Sequence, residues 1–311
     1  MLGIVILNYN NYNDTVKCVD SIRNCGDFGE YKIYVVDNCS LNESYSVLNV
    51  RYEKDSDVKV ILSEKNGGFS AGNNLGFKIA VNDGCDVLLC SNSDVEYKNG
   101  SIGFMLESLN SDPLCAVVGP KVYNSDGSVQ NRNKGIMDYK IYICKRRGFA
   151  RFDFKWRVKK YNYEDYDYSY PLRPSGMVSG CCFMIRSADL QEAGWLDENV
   201  FLYHEEDILG AKIRKIGKYV LLDPRAEIVH AEGKSTGKTT PFLRYNTLYS
   251  GLYYLKVYGN TTKSQFNKAC FVAKSLFFIK ALFDKDYKKE YKRLKESIKR
   301  LKKIKESDKN D

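Results

Sequence analysis

The sequence lacks the marks of a membrane-spanning, exported or disulfide-stapled protein. No uninterrupted stretch reaches the roughly 18 apolar residues that a spanning helix needs. The N-terminus opens directly on the strand-like segment LGIVILNYN, without a charged region and a cleavable apolar stretch. The ten cysteines form no C-x-x-C pair, and several lie in apolar segments such as VLLC and GCCFMI. We therefore expect buried thiols in a reducing cytoplasm.

A basic excess is absent from most of the chain and is concentrated in its last part. Residues 241–311 hold 18 Lys/Arg against 7 Asp/Glu, whereas residues 1–240 hold 30 against 32. Within the first part, residues 131–160 hold 11 basic and 2 acidic residues. Two basic patches beside an acidic body indicate contact with anionic ligands or surfaces. The content of 43% hydrophobic and 28% charged residues is ordinary for a soluble globular protein.

Apolar segments of strand type alternate with segments of helical spacing along the first part of the chain. This alternation predicts an α/β fold, with a mostly parallel sheet and helices on its faces. The Asp126-Gly127 pair marks a hairpin turn, so antiparallel strands are expected after the parallel half. Residues 135–172 lose periodicity and are rich in Tyr, Lys and Arg, which predicts an inserted loop region with short helices. The predicted strands are 3–7, 32–36, 58–62, 87–90 and 116–119, and the predicted helices are 13–23 and 71–81. After the insert, order is expected to return in the apolar segments 177–185 and 219–222.

One segment combines a glycine/asparagine loop with a strand that ends on polar residues. The loop NGGFSAGNNLG occupies residues 66–76 and leads into a helix, and the strand at 87–90 runs into SNSD at 91–94. Glycines permit close backbone approach, and N–H groups at a helix start suit a diphosphate. A carboxylate at the carboxyl edge of an α/β sheet lies where ligands bind. The segment therefore predicts a site for a nucleotide diphosphate and a metal ion.

Eight sequence motifs occur in the order in which family 2 glycosyltransferases carry them. They are VILNYN (5–10), VVDNCS (35–40), NGGFSAGNNLG (66–76), SNSDV (91–95), GPKVYNSDG (119–127), VSGCCFMIR (178–186), GWLDENVFLYHEED (194–207) and IVHAEGKS (228–235). The chain resembles the bacterial rhamnosyltransferase-like branch over about residues 1–250. This resemblance implies a GT-A fold, with a Rossmann-like nucleotide-binding half and a mixed sheet. It also implies inverting transfer of a hexose from a nucleotide diphosphate to a glycan or lipid-linked acceptor in bacterial polysaccharide synthesis.

The chain is expected to divide near residue 240. The GT-A domain would occupy residues 1–240, with residues 131–172 as an insert on the acceptor side. Residues 241–311 would form a helical, amphipathic basic region.

The resemblance assigns the nucleotide to polar residues near strand ends and in the glycine loop. Asn8 and Asp37 would hold a uracil or thymine ring, since the Asp37 carboxylate can accept a hydrogen bond from a base N–H. Alternatively, Asp37 and Asn38 only start a turn, as these residue types often do. The loop residues expected at the diphosphate are Asn66, Gly67 and Asn73.

The Asp-x-Asp signature of GT-A enzymes appears here as Asn92-Ser93-Asp94. Mg²⁺ or Mn²⁺ prefers carboxylate oxygen and neutralises the leaving diphosphate, so Asp94 is the expected metal ligand. Asn92 carries no charge and is expected at the ribose. His230 lies where the resemblance implies a further metal or diphosphate contact. The other histidine, His204, fits a packing position.

Inverting transfer needs a base that removes the proton of the acceptor hydroxyl. Glu205, Glu206 and Asp207 form an acidic run at the start of a helix predicted at 208–216. Aligning Leu209 with the last residue of the family's E-D-x-D-L motif selects Glu206, whereas counting the E-D pair directly selects Asp207. Acidic residues in a first helical turn also stabilise the helix dipole, so some of the three serve that role.

The acceptor is expected on the side of the insert. Tyrosines and basic residues at 131–170 suit stacking on sugars and pairing with an anionic lipid diphosphate, and Arg146 and Arg147 are the candidates for that pairing. Asp197 is expected to bind acceptor hydroxyls. Trp195 either stacks on a sugar face or packs in the core.

The basic tail is expected to form helices. Residues 267–283 place lysines among bulky apolar side chains, and residues 287–301 repeat apolar residues at alternating steps of four and three. An amphipathic basic helix suits an anionic membrane surface, which predicts a cytoplasmic protein bound peripherally at the inner face of the membrane. Alternatively, these helices pack on the domain or join two copies in a homodimer. Nucleic acid is not an expected partner, because no recognisable binding module accompanies the charge.

Two other function classes stay open on the sequence alone. A nucleotidyltransferase shares a Rossmann-like half and acidic metal ligands, but NYNNYND stands where its glycine-rich basic signature would follow the first strand. A non-catalytic sugar-nucleotide-binding or scaffold subunit of a glycan assembly is the second, with Asn92 as a trace of lost chemistry.

Overall fold

An eight-stranded sheet with helices on its faces organises the described part of the chain. The computed structural model describes residues 1–130, 133–146, 155–231 and 240–304. The strands are β1 (Leu2–Asn8), β2 (Tyr31–Asp37), β3 (Val58–Leu62), β4 (Val87–Asn92), β5 (Val95–Tyr97), β6 (Cys115–Tyr123), β7 (Cys182–Arg186) and β8 (Tyr219–His230). The helices are α1 (Tyr12–Arg23), α2 (Ser44–Tyr52), α3 (Gly68–Asn82), α4 (Ser101–Ser111), α5 (Tyr139–Arg146), α6 (Lys155–Asn162), α7 (Ser187–Glu192), α8 (Glu205–Lys215), α9 (Pro241–Val257), α10 (Lys263–Ala281) and α11 (Lys285–Leu301). The strand order across the sheet is β3-β2-β1-β4-β7-β6-β8-β5.

The first four strands form the parallel half that the alternating segments predict. β1 pairs in parallel with β2 and β4, and β2 pairs in parallel with β3. Helices cover both faces, so β1 and β2 are buried along most of their length and read as nearly continuous apolar runs. The register places Asn8 opposite Asp37 and Leu7 opposite Asn92. The polar carboxyl ends of β1, β2 and β4 therefore meet at one edge of the sheet.

The second half of the sheet is mixed. β7 runs antiparallel to β4 and β6, while β8 runs parallel to β6 and antiparallel to β5. After β6, the Asn124 N–H donates to the Ser128 carbonyl at 2.8 Å. Gly127 takes φ +83°, a left-handed conformation that costs glycine little. The predicted turn and the antiparallel additions are confirmed.

Several elements of this scaffold, α4 among them, differ from the sequence expectations. The helix α2 was not predicted, because its sequence SYSVLNVRY is rich in residues of modest helix propensity. The apolar run at 177–185 becomes a strand only from Cys182. Its first residue, Met177, instead exchanges backbone hydrogen bonds with Lys134, at 2.8 and 3.1 Å.

The insert contains the short helices α5 and α6, as predicted. Tyr142 and Tyr161 of these helices are buried in a hydrophobic cluster that also contains residues of α9, α10 and α11. The Gly135 N–H donates to the Tyr161 carbonyl at 2.7 Å. The described part of the insert is therefore anchored to the C-terminal helices.

The C-terminal helices share a core with the rest of the molecule. The amphipathic helix expected at 287–301 forms as α11, but protein covers its apolar face, and Ser297 hydrogen-bonds to Tyr245 of α9 at 2.9 Å. The expectation that this face meets a membrane is therefore corrected. Within the described ranges, no helix combines the length and the hydropathy of a bilayer-spanning segment. The buried apolar residues of α11 are Tyr287, Leu294, Ile298 and Leu301.

The cysteines behave as small buried side chains. All ten thiols are free, and nine of them are buried. Burial raises the pKa of Cys18 to about 12, so this thiol stays protonated and unreactive at neutral pH.

Candidate functional site

Asn8 and Asp37, at the ends of β1 and β2, contact each other directly. The Asn8 amide donates to Asp37 Oδ2 at 2.7 Å, and the Thr15 hydroxyl donates to Asn8 Oδ1 at 2.8 Å. Ser40 donates to Asp37 twice, from its N–H at 2.8 Å and from its hydroxyl at 2.7 Å. The turn that was the alternative role of Asp37 therefore forms.

The Asp37 carboxylate keeps some capacity for a further partner. An ionised carboxylate accepts at about four positions, and Asn8 and Ser40 fill three of them with the bonds at 2.7, 2.7 and 2.8 Å. Asn8 and Asp37 are fully buried, so a base N–H reaches Asp37 only if the turn at Ser40 shifts. That Asn8 and Asp37 bind the base stays a prediction. Ser40 is added to these residues because it donates two hydrogen bonds to Asp37.

The glycine loop at the start of α3 is locked between two other segments. Asn66 Oδ1 accepts from the Asn38 amide at 3.1 Å and from the Gly68 N–H at 3.0 Å, and the Gly67 N–H donates to Asn38 at 3.3 Å. Gly68 takes φ +85°, and a β-carbon there would lie 2.2 Å from the Phe201 carbonyl oxygen. The N–H groups predicted for a diphosphate are thus engaged within the protein. Asn66 keeps its Nδ2 group, which makes no hydrogen bond inside the described ranges.

Asn73 does not lie at the diphosphate position. It is fully buried, its amide donates to the Phe69 carbonyl at 2.9 Å, and it accepts from Cys90 Sγ at 3.4 Å. Five positions beyond the start of α3 at Gly68, the helix turns this side chain toward β4 and away from the loop. The prediction for Asn73 is therefore wrong, since the residue joins the helix to the sheet.

Asp94 and His230 meet where β4 and β5 face the end of β8. Val95 pairs with His230, and His230 Nε2 lies 3.2 Å from Asp94 Oδ1. The Asn92 amide lies 3.4 Å from the same ring nitrogen. On its other side, His230 Nδ1 contacts the Gln130 side-chain oxygen at 3.0 Å. The structure thus brings together Asp94, His230 and Asn92, which the sequence placed at the metal, at the metal or diphosphate, and at the ribose.

The Asp94–His230 pair is electrostatically coupled. Burial lowers the pKa of His230, but hydrogen bonds to Asp94 and Cys181 outweigh burial and raise this pKa to about 10. Without a cation the imidazole is therefore protonated at neutral pH. A cation that binds its Nε2 must displace that proton.

The donor atoms at this position fit a divalent cation. Two ligands at about 2.1 Å in neighbouring octahedral positions lie about 3 Å apart, and the Asp94–His230 separation is 3.2 Å. Gln130 holds the second ring nitrogen, as carbonyl groups do around metal-bound histidines. The described residues contain no group of three or more His, Cys, Asp or Glu side chains that could hold a metal.

Asp207 lies in a buried hydrogen-bond network. Tyr203 and His204 both take left-handed backbone conformations, with φ +69° and +66°, immediately before α8. His204 Nδ1 lies 2.7 Å from Asp207 Oδ2, and the Tyr161 hydroxyl donates to Asp207 Oδ1 at 2.9 Å. Burial acts to raise the pKa of Asp207, yet these bonds hold that pKa below its ordinary value. Both oxygens are occupied, which argues against Asp207 as the base.

Glu205 and Glu206 differ in their surroundings. One Glu205 oxygen is buried without a protein partner, and burial and the negative charge of Glu206 raise the pKa of Glu205 well above its ordinary value. Glu206 packs on Gly180, where a β-carbon would lie 2.7 Å from Glu206 Oε1. The Asn92 N–H donates to the Cys181 carbonyl at 2.8 Å. Gly180 therefore lies at the carboxyl end of β4, and Glu206 lies beside the Asn92–Asp94 edge.

Arg146 does not face an acceptor. Its Nη2 donates to the Thr247 carbonyl at 2.9 Å and lies 3.2 Å from His204 Nε2. Because an arginine only donates, His204 Nε2 accepts and its Nδ1–H points to Asp207. The predicted acceptor role of Arg146 is corrected to an internal bond between the insert, α8 and α9. Arg147 lies outside the described residues.

Asp197 is likewise turned inward. The hydroxyls of Tyr253 and Tyr258 donate to its Oδ2 at 2.9 and 2.6 Å, and Asn199 donates to its Oδ1 from the N–H and the amide at 2.9 and 2.8 Å. Burial acts to raise the pKa of Asp197, but these four donors hold it below its ordinary value. The prediction that Asp197 binds acceptor hydroxyls is wrong, because this carboxylate fastens α9 to the domain.

Trp195 is partly buried, and its role on a sugar face stays a prediction. It packs against one of the hydrophobic clusters, and the Lys78 ammonium lies 5.7 Å from its ring centroid. Lys78 stands ten residues beyond Gly68 in α3, which is roughly 15 Å along a helix. Trp195 is therefore remote from the glycine loop.

Sequence reasoning missed three residues that shape this site and named Asn38 only as a turn residue. Asn38 and Ser40 organise the end of β2, Gln130 orients His230, and Gly180 makes room for Glu206. The available signal was their position inside or just after the motifs VVDNCS, GPKVYNSDG and VSGCCFMIR. Only coordinates show which side chain each of them supports.

The sequence model described as Glycosyl transferase family 2 matches residues 3–194, more than half of the chain. The chain belongs to this family. It is 26% identical over 156 residues to an N-acetylglucosaminyl-diphospho-decaprenol L-rhamnosyltransferase of Mycobacterium tuberculosis, a match that covers 49% of each protein. It is 24% identical over 209 residues to the low-salt glycan biosynthesis hexosyltransferase Agl10 of Haloferax volcanii, covering 66% of this chain and 59% of Agl10. The chain thus spans about half the length of this mycobacterial relative.

Solved structures resemble this family 2 chain over most of its length. GalNAc-T7 with UDP, GalNAc and Mn²⁺ aligns with a TM-score of 0.62 at 17% identity, over 89% of this chain and 50% of that one. Mannosyltransferase PcManGT from Pyrobaculum calidifontis, with GDP-Man and Mn²⁺, aligns with 0.56 at 13% identity, over 93% and 73%. Residues 1–349 of S. aureus TarS with UDP-GlcNAc align with 0.54 at 15% identity, over 88% and 71%. These likenesses confirm the predicted GT-A fold.

Proposed function

We propose that this family 2 protein is an inverting glycosyltransferase that moves a hexose from a nucleotide diphosphate to a glycan or lipid-linked acceptor in cell-surface polysaccharide synthesis. The observation that carries the proposal is that four groups of the protein lie at one edge of the sheet. Their chemistry suits a base, a diphosphate, a cation and the acceptance of a proton. The names of the rhamnosyltransferase and hexosyltransferase relatives support the same chemistry. The four groups are the Asn8–Asp37 pair, the loop at 66–68, the Asp94–His230 pair and Glu206.

The donor lies along this edge in the proposed complex. Asp37 accepts from the base, Asn92 lies at the ribose, and the free Asn66 amide donates to a phosphate oxygen. Asp94 and His230 are the residues that would hold a divalent cation, Mg²⁺ or Mn²⁺. Such an ion, when bound, stabilises the negative charge of the leaving diphosphate. Two of the similar structures contain Mn²⁺, which supports this requirement.

Glu206 is the proposed base. It removes the proton of the acceptor hydroxyl as that oxygen attacks the anomeric carbon opposite the leaving phosphate. The bond from the anomeric carbon to the diphosphate oxygen breaks, and the configuration inverts. Glu206 is favoured because Asp207 has both oxygens occupied, whereas Glu206 lies beside the Asn92–Asp94 edge. Burial disfavours the charged form of Glu205, which is the form that a base needs.

The acceptor is proposed to be lipid-linked. The name of the mycobacterial relative contains a diphospho-decaprenol, a lipid diphosphate, and the chain carries basic residues at 131–160 and in its tail. The enzyme would then work from the cytoplasm at the inner face of the membrane, as a peripheral protein. A scaffold subunit or a nucleotidyltransferase is less well supported, because neither needs a carboxylate placed as Glu206 is.

Release of nucleoside diphosphate tests the proposal. The full chain is incubated with UDP-, dTDP- and GDP-sugars with Mn²⁺, with and without EDTA. We expect one donor class to yield nucleoside diphosphate in a cation-dependent way, and Asp94→Asn to remove most of that release while the variant stays folded. If a nucleotide sugar raises the melting temperature but is never cleaved with cation and a lipid-diphosphate acceptor, the scaffold alternative replaces the enzyme.

A further inference from the structure

Helix α10 and the residue pair after it present an apolar surface to solvent. We name this surface the α10 ridge. It contains three phenylalanines, a leucine and an isoleucine, and large apolar side chains grouped in this way mark an interaction site. Its members are Phe271, Phe278, Ile279, Leu282 and Phe283, which are 64, 46, 60, 59 and 88% exposed.

Lysines flank the centre of the α10 ridge, Phe271, Phe278 and Leu282, on both sides. At about 100° per residue, Phe278 and Leu282 lie within about 20° of Phe271 around the helix, while Lys268 and Lys274 lie about 60° to either side. The sequence of α10 contains four lysines and no acidic residue. Lys268 and Lys274 make no ion pair with a carboxylate of the described ranges. An apolar stripe between cationic borders is the pattern of a helix that lies in a membrane interface.

A groove continues the α10 ridge toward the start of the helix. It has a volume of about 940 Å³ and lies between Tyr139 of α5 and the residues Lys263, Lys268 and Phe271 of α10. Two ammonium groups and two aromatic walls suit an anionic headgroup on a lipid whose acyl chains lie along the ridge. The opposite face of α10 cannot move to meet such a surface, because Phe277 is buried and its ring lies 5.3 Å from that of Tyr287 in α11.

We propose that the α10 ridge seats the protein on an anionic phospholipid bilayer. The phenylalanines enter the boundary between headgroups and acyl chains, and Lys263, Lys268 and Lys274 bind the lipid phosphates. This inference deepens the proposed function, and it rests on that function only for the lipid-linked acceptor. Charge complementarity selects a bilayer over a second copy of this chain, since two copies would bring the same lysine borders together.

Co-sedimentation of the full chain with vesicles tests the α10 ridge. Vesicles of phosphatidylcholine with phosphatidylglycerol are compared with vesicles of phosphatidylcholine alone, at low and high salt. We expect binding to the anionic vesicles that high salt weakens. The double variant Lys268→Gln/Lys274→Gln should weaken binding roughly fivefold for each lysine removed. Phe271→Ser/Phe283→Ser should weaken binding at least tenfold at either salt concentration.

A matched control separates the α10 ridge from apolar exposure in general. Val50 and Leu114 are also exposed and lie in the GT-A domain, so Val50→Ser/Leu114→Ser should leave vesicle binding unchanged. All variants should release nucleoside diphosphate at the wild-type rate without vesicles, which keeps the fate of this inference distinct from that of the proposed function. Equal binding by wild type and the Phe271→Ser/Phe283→Ser variant would overturn the inference. If the wild type instead forms a concentration-dependent dimer and does not bind vesicles, and only Phe271→Ser/Phe283→Ser abolishes the dimer, the α10 ridge is a self-association surface.

Discussion

The parallel half of the sheet and the helical half of the molecule use charged side chains in opposite ways. In the parallel half, Asp37 and Asp94 stand at strand ends, where the sheet edge gathers groups of different strands. In the helical half, Asp197, Asp207 and Arg146 are held inside by hydrogen bonds between helices, the insert and the loop before α8. We therefore expect charged residues at the strand ends of this edge to take part in the chemistry, and charged residues that hydrogen-bond to the C-terminal helices to be structural.

Glu206 is expected to show the largest effect, because it is the carboxylate of the acidic run that lies beside the Asn92–Asp94 edge. Glu206→Gln should lower kcat by roughly 10² or more, the range for a positioned base. Donor KM and the melting temperature should change little. Steady-state kinetics and thermal unfolding check this. A dead Asp207→Asn variant with an unchanged melting temperature, beside an active Glu206→Gln, would move the base to Asp207.

Arg146 tests whether the charged residues held between the helices are structural. Arg146→Leu leaves His204 Nε2 without a donor and removes the extra hydrogen bond to the Thr247 carbonyl of α9, and a buried unpaired group costs about 1–3 kcal/mol. The free energy of unfolding should fall by a few kcal/mol and the melting temperature by several degrees. Donor hydrolysis should change far less. An unchanged melting temperature with a raised acceptor KM would return Arg146 to the acceptor.

The sequence predicts the parallel half well because its information is local. Each strand and helix there is a short periodic segment, and the shared edge follows from the parallel arrangement itself. The helical half depends on contacts between distant residues: Tyr253 and Tyr258 reach Asp197 across 56 and 61 positions of the chain. No spacing in the sequence marks such a pair. The motif around Asp197 therefore indicated a sugar contact, although the side chain points to α9.

Asp197 is expected to make the free energy of unfolding depend on pH. Its pKa is depressed in the folded protein, so its contribution to stability is present above the ordinary carboxyl value near pH 3.9 and is lost as the pH falls through the folded-state pKa. Asp197→Asn should lower the free energy of unfolding by about 2 kcal/mol at neutral pH. The difference from wild type should shrink as the pH falls below about 4. Denaturant unfolding across this range measures it, and a constant difference would mean that the Asp197 charge contributes nothing.

Asp37 gives the smallest expected effect. It tests whether the sheet edge binds the base, because the carboxylate that holds the turn at Ser40 is also the proposed acceptor for the base. Ser40→Ala removes the hydroxyl bond at 2.7 Å but leaves the turn held by the Ser40 N–H at 2.8 Å. It should change stability slightly and donor KM by less than the carboxylate variant. Asp37→Ala removes the acceptor for the base, so donor KM should rise about tenfold, the value of one charged hydrogen bond, with kcat nearly unchanged. If both variants raise donor KM equally, the turn acts by shaping the loop and Asp37 does not contact the base. If Asp37→Ala lowers only the melting temperature, the residue is as structural as Asp197. The proposed contrast between the two halves is then wrong for the strand end that carries Asp37.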